Sequence, residues 1–398
     1  MINIQKIFKA RVSLILSSRS LSRVIGLSVI TLIGAGFGLE EIGIFALFQA
    51  KVFFLATIIK FGFSQSTYQL AAQNSINASI NLQIFQIWSI LCLLIFTIFM
   101  LTLKHLQLAN PSELTLIFIS ALMISWISVE SALRLPNHSP IKALAIEDIA
   151  PGLIFIMLIS ICIISKFEAK IVYLYFISLI PSMLFVIISR IINIDYKKLD
   201  LTIDVLPIIY KNISFFMISF SQVVNSHGAF LLLGLISGPT FLGAYRIALS
   251  IVSIYSIVSS SLAIELQRVT SREKLSVLLK KKNKYALINL LVVSLLVLAL
   301  IGAYSFLNIL SYQSFKNIIE LSILLSIILF FKAFFGFPDP ILVAKQEESY
   351  VSRIFILNAM IFFMIAAIYI FLGGQSPIML IFIIALIQPS AIIFYTKY

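Results

Sequence analysis

Twelve long apolar runs, separated by short polar stretches, dominate the chain and leave it few ways to fold. They span residues 22–38, 42–63, 84–103, 114–132, 144–165, 171–194, 207–236, 241–264, 285–306, 318–336, 351–372 and 377–395. Each is long enough for a helix across a hydrocarbon core of about 30 Å, which takes about 20 residues. Strands of a membrane barrel would be about 10 residues long and would alternate apolar with polar side chains. The run 285–306 shows no such alternation. Of the 398 residues, 61% are apolar and 11% are charged, against about 25% charged in a soluble domain. A water-soluble fold could not hide that much apolar surface. Twelve spans leave connections of about a dozen residues each, too short for a soluble catalytic domain.

The basic residues set an orientation. The N-terminal stretch, the even-numbered connections and the C-terminus carry 22 of the 29 lysines and arginines, and the odd-numbered connections carry 4: Lys104, Lys166, Lys170 and Lys316. By the positive-inside rule both termini are cytoplasmic. The net charge of +13 is therefore topology rather than a nucleic-acid footprint. The cluster Lys280, Lys281, Lys282 and Lys284 reads first as a cytoplasmic topology anchor and second as a site for anionic lipid head groups. Cys92 and Cys162 lie inside apolar runs, and His105, His138 and His227 are far apart. Neither a disulfide framework nor a zinc spacing is present, and no cofactor or metal is expected.

The chain repeats itself at an offset of 200 residues. Gly34, Gly38, Gly43 and Phe45 correspond to Gly234, Gly238, Gly243 and Tyr245, and Pro140-Ile141 with Glu147-Asp148 corresponds to Pro340-Ile341 with Glu347-Glu348. Six spans per half is an even number, so the halves share one orientation and form parallel repeats. The predicted fold is an all-α integral membrane protein with 12 transmembrane helices in two parallel six-helix lobes, residues 1–200 and 201–398. Gly34/Gly38 and Gly234/Gly238 are small-xxx-small pairs that let helices approach. Gly43 and Gly243 are expected to supply a backbone angle that other residues disfavour. The stretch is no phosphate loop, because Ile44-Phe45 and Ala244-Tyr245 follow the last glycines where Lys-Ser/Thr is required.

Three segments carry a resemblance. Gly38-Leu39-Glu40-Glu41-Ile42-Gly43-Ile44-Phe45 is similar to the first turn between spans of polysaccharide flippases in the multidrug/oligosaccharidyl-lipid/polysaccharide exporter superfamily. Lys60-Phe61-Gly62-Phe63-Ser64-Gln65-Ser66 resembles the end of their second span, and the segment from Leu233 to Tyr245 resembles their seventh-to-eighth turn. Lys60 and His227 stand where the family often has acidic residues. The resemblance is nearest to O-antigen and capsule repeat-unit flippases. It implies transport of a polyprenyl-pyrophosphate-linked oligosaccharide from the cytoplasmic to the outer leaflet of a bacterial inner membrane, by alternating access. Implied partners are that lipid-linked substrate, membrane lipids, and the polymerase and chain-length proteins of the same pathway, with no nucleic acid. An ion-coupled multidrug exporter of the same fold is the alternative, followed by a membrane-bound polymerase or ligase. No enzymatic constellation is present, since acids within the spans are nearly absent.

Charges inside hydrocarbon are costly, about 2.5–3.5 kcal/mol at mid-span, and mark candidate sites. Lys51 lies near mid-membrane in the second span, Arg246 in the outer third of the eighth, and Arg23 at the cytoplasmic entrance of the first. No carboxylate partner for Lys51 or Arg246 is evident in the sequence. Lys51 either lines a polar cavity or pairs structurally, and Arg246 either lines a cavity or snorkels to the outer face; where they line a cavity, the three form a cationic ladder for a pyrophosphate. Lys60, at the end of the second span, is expected to snorkel. The seventh span carries Gln222, Asn225 and His227 in a polar stripe, which serves either interhelical hydrogen bonds or sugar hydroxyls. Glu130 and Arg134 are expected to pair as i, i+4 neighbours.

Overall fold

The computed structural model describes residues 4–72, 77–105, 111–137, 145–193, 206–253, 275–309, 313–335 and 348–381 apart from position 375, together with Ala143 and Tyr255. Every regular element among the described residues is helical. In chain order they are α1 (Ile4–Phe37), α2 (Leu39–Lys60), α3 (Phe63–Ala72), α4 (Asn77–His105), α5 (Pro111–Asn137), a π-helical turn (Ala145–Ile149), α6 (Ala150–Ser165), α7 (Ile171–Asn193), α8 (Leu206–Ile236), α9 (Pro239–Val252), α10 (Leu275–Ile309), α11 (Gln313–Phe335) and α12 (Glu348–Phe371). Seven of the described segments are long and apolar enough to cross a membrane, and α8 adds an eighth as a pair of segments, Asn212–Val224 and Ser226–Ile236, bent by 44°. Shorter apolar helices occupy Pro239–Val252, Asn317–Ile327 and Ile356–Phe371. The expected run 377–395 lies outside the described residues beyond Ile381. The chain is a multi-pass, all-α membrane protein.

The connection at 64–83 departs from expectation. It contains a helix, α3, which packs on α4 and α5. Serine, glutamine and threonine gave that stretch the look of a loop. Its polar side chains are instead satisfied within the protein: Asn81 Nδ2 donates to Ser66 Oγ at 2.7 Å and to Thr67 Oγ1 at 2.8 Å. The turn before α3 requires left-handed backbone at Phe61 (φ 43°) and Gly62 (φ 78°).

The helices fall into two compact units. The first gathers Ile33–Leu47, the part of α8 from Val224, and the rest of the chain to its end, together with Met1–Arg23. The second gathers Val24–Leu32 and Phe48–Val223.

In the second unit α5 is the central helix and α4 a peripheral one. Two-thirds of the apolar window of α5 is buried (67%), against 11% for α4. Ile87, Ile98 and Leu101 of α4 are at least 63% exposed. A soluble protein does not display such a stripe, whereas a lipid-facing helix must. Serines bind the interior together. Ser125 Oγ donates to Ala56 O at 3.1 Å, which joins α5 to α2, and Trp88 Nε1 donates to Ile59 O at 3.0 Å, which joins α4 to α2. Because acyl chains are as apolar as leucine, close packing and such bonds hold membrane helices together. In the first unit α10 shows the same two faces, with Leu287, Leu291, Leu295 and Leu298 exposed and Val293 and Leu300 buried.

Candidate functional site

The α8–α9 turn builds a cationic corner in the first unit. Gly238 is extended (φ −72°, ψ 165°) and Pro239 opens α9, where its missing N–H costs nothing. Two turns on, α9 delivers Arg246. Its guanidinium carbon lies 5.8 Å above the Phe230 ring of α8, and Phe230 meets the buried Tyr245 edge to face at 5.0 Å. A cation over an aromatic face gains roughly 0.5–2 kcal/mol. His227 precedes Phe230 by three residues and interacts electrostatically with Arg246. The structure thus brings together His227 and Arg246, which the sequence placed on separate spans.

The polar stripe of α8 has two faces. Gln222, before the bend of α8, and Ser226, after it, are exposed, and Ser221 is buried. The side chain of Asn225 lies outside the described residues; its backbone falls at the bend between the two segments of α8. Arg23 is exposed on α1.

Lys51 takes the structural pairing, with a partner that the sequence did not reveal. Its Nζ lies 3.1 Å from Glu113 Oε1, with side-chain exposures of 40% and 60%. Glu113 sits in the first turn of α5, just after Pro111. A partner 62 residues away, on the far side of an intervening span, carries no sequence signal. Lys60 is corrected. It closes α2, is half-buried, and interacts electrostatically with Glu147 instead of snorkelling free. Glu147 stands on the π-helical turn, accepts a 2.8 Å hydrogen bond from Ser131 Oγ, and interacts with Asp148 and Ser128. Such turns leave the helical ladder locally irregular and often mark functional sites.

A third ionic cluster lies at the ends of α5 and α7. Glu130 is 3% exposed and bridges two arginines. Arg134 Nε donates to Glu130 Oε1 at 2.8 Å, and Arg190 Nε donates to Oε2 at 2.7 Å. Arg134 also binds Ser189 Oγ and lies 5.3 Å over the Phe185 ring. Spacing alone gives the Glu130–Arg134 pair, but it does not reveal Arg190. An acid at the end of an apolar run was the one available signal. Among the described residues no group of three His, Cys, Asp or Glu could hold a metal ion.

The repeat glycines divide by role. Gly38 has φ +93° and turns the chain between α1 and α2, while Gly238 keeps a negative φ. Gly43 and Gly243 are not left-handed; this corrects the expectation of an unusual backbone angle, because both lie inside helices. They are places of close approach. A Cβ on Gly43 would sit 1.8 Å from Pro239 O, and one on Gly243 would sit 2.0 Å from Leu39 O. At Gly34 a Cβ would lie 3.1 Å from Ile42 Cδ1, and at Gly234 it would lie 3.0 Å from Leu47 Cδ1; around Gly38 and Gly238 there is open space.

The sequence matches no family model and no curated protein. The fold does match solved structures. A MATE transporter in complex with MaL6 aligns with a TM-score of 0.67 at 15% identity, over 96% of this chain and 93% of that one. An outward-facing multidrug resistance MATE family transporter of the MOP superfamily aligns at 0.64 and 16% identity, over 97% and 94%. An inward-facing one aligns at 0.55 and 14% identity, over 93% and 95%. The chain has the MATE transporter fold.

Proposed function

We propose that the chain is a flippase that moves a polyprenyl-pyrophosphate-linked oligosaccharide, such as an O-antigen or capsule repeat unit, to the outer leaflet of a bacterial inner membrane. The observation that carries this reading is the cationic corner of His227, Arg246 and Phe230 in a chain with the MATE fold. A guanidinium over an aromatic ring brings a positive charge that suits a pyrophosphate, and the exposed side chains of Gln222 and Ser226 suit sugar hydroxyls. Lys51 supplies a second cation, held by Glu113 until an anion displaces the carboxylate. Six-helix lobes 1–200 and 201–398 alternate access, and the MATE neighbours solved outward-facing and inward-facing support such a cycle.

A specific observation favours a second reading, an ion-coupled multidrug exporter. Glu147 is a membrane-embedded carboxylate beside Lys60, as coupling to an ion would need. Two measurements separate the readings. Depletion of the protein should leave polyprenyl-linked repeat units trapped in the cytoplasmic leaflet, with surface glycan lost. Normal glycan together with increased sensitivity to cationic dyes would favour the exporter.

A further inference from the structure

The Glu130 cluster ends two neighbouring spans of the second unit. The apolar span of α5 closes at Arg134 and that of α7 at Arg190, so both guanidiniums stand where hydrocarbon gives way to head groups. Glu130 lies one turn deeper in α5. Its side chain is 4% exposed, and those of Arg134 and Arg190 are 18% and 20% exposed. What the cluster shows to its surroundings is therefore cationic. Two guanidiniums share one carboxylate, which leaves the three groups with a net charge of +1. Glu130 and Ser189 take Nε and Nη2 of Arg134, and Glu130 takes Nε and Nη2 of Arg190. The Nη1 group of each makes no hydrogen bond to the described residues, and a guanidinium fits phosphate oxygens well. Ser131, the next residue of α5, turns instead to Glu147, whose charged neighbours are Asp148 and Lys60.

An apolar row leads up to the charge. Ile177, Leu184, Phe185 and Ile188 of α7 are exposed and recur at i, i+7, i+8 and i+11, which is one face of a helix. Phe185 belongs to both parts. Arg134 lies 5.3 Å over its ring, and Ser189, one turn further on, accepts a bond from the same arginine. The row is about 16 Å long at 1.5 Å per residue and ends in a net positive charge at head-group depth. That is the complement of a phospholipid with a negative head. A soluble phosphate would use the guanidiniums and leave the row unmatched. A zwitterionic head would bring a cation of its own to the arginines. Basic pockets between spanning helices take anionic head groups in this way.

We propose that this face of α5 and α7 is a binding site for an anionic phospholipid. The phosphate sits on Arg134 and Arg190, and an acyl chain runs along Ile188, Phe185, Leu184 and Ile177. The site requires only that the chain spans a membrane and is independent of the solute it carries.

The test reads lipid at the site itself. Leu184→Cys, in full-length protein with Cys92→Ser and Cys162→Ala, carries a bimane label in vesicles of phosphatidylcholine and phosphatidylglycerol, with one of the two lipids brominated on its acyl chains. Quenching should show phosphatidylglycerol favoured about fivefold, the weight of one basic residue at a membrane surface. Arg134→Gln, which leaves Glu130 and Arg190 as a neutral pair, should abolish the preference, and Arg134→Lys, which keeps the charge, should retain most of it. A label at Leu295→Cys, exposed on α10, should be quenched equally by both lipids. Equal quenching at Leu184→Cys with the arginines intact, a preference that persists in Arg134→Gln, or a like preference at Leu295→Cys would overturn the site. If Arg134→Gln does not accumulate, Ile188→Glu decides. It sets a negative charge on the exposed row and leaves the ion cluster in place, and an unchanged preference overturns the proposal. Loss of the preference with millimolar inorganic phosphate, but not with sodium chloride of equal ionic strength, would assign the arginines to a soluble anion and overturn it as well.

Discussion

Glu130 offers the most direct test of what holds the second unit together. It is 3% exposed and is the only carboxylate, among the described residues, seen to pair with Arg134 and Arg190. The Glu130→Ala variant would leave two guanidinium groups facing each other across the vacated site. Breaking a buried ion pair from one side costs about 3–5 kcal/mol. The arginine side chains retain 18% and 20% exposure, so they can partly swing toward head groups. That brings the expected loss to roughly 2–4 kcal/mol by the same rule. Glu130→Gln keeps the shape but not the charge and should cost less than Glu130→Ala. The double variant Glu130→Gln/Arg190→Gln should recover part of the loss, because the second change removes the charge that the first one stranded. The assay has a built-in probe. Cys162 is 7% exposed, so in a Cys92→Ser background a thiol-reactive dye reports when the helices come apart on heating. An unchanged midpoint in Glu130→Ala, or a double variant whose loss equals the sum of the single losses, would refute the argument that this carboxylate neutralises both arginines.

Further outcomes follow from other contacts. A Cβ on Gly62 would meet Asn212 O at 2.2 Å and Phe216 N at 2.7 Å, and its φ is +78°; Gly62→Ala should lower the midpoint measured in the same dye assay by an amount equivalent to about 1–3 kcal/mol of overpacking, whereas Gly26→Ala, with open space around it, should be neutral. Arg246→Ala should strongly reduce surface glycan at unchanged protein level, and normal export in a Lys51→Ala/Arg246→Ala double variant would show that these cations do not meet the substrate. The exchange Lys51→Glu/Glu113→Lys should restore the 3.1 Å pair and normal protein accumulation but not export, because a displaced cation no longer meets the anion. Reporter fusions after Lys104, Lys170 and Lys316 should read as outside and those near Lys198 and Lys281 as inside; a reversed reading at two of them would refute the orientation drawn from the basic residues.

The run lengths, the scarcity of charge and the offset of 200 residues carried the architecture, because a helix that must bury its backbone polarity in lipid needs about 20 apolar residues in a row. That requirement is local, and a local requirement is written in consecutive residues. The glycines of the repeat were legible as places of special packing for the same reason. What made Gly43 and Gly243 necessary was not legible. The reason lies in Leu39 and Pro239, each brought up from the opposite half of the chain to within 2.0 Å of where a Cβ would stand. The ionic partners were hidden in the same way. Glu113 finds Lys51, Arg190 finds Glu130, and Glu147 finds Lys60 only when helices distant in sequence are packed side by side. A charged side chain in a span announces that it needs a partner, since hydrocarbon offers none. Which partner it takes depends on the neighbouring helix and its rotation, and these are set by the packing of many apolar faces at once, so only the tertiary structure decides it.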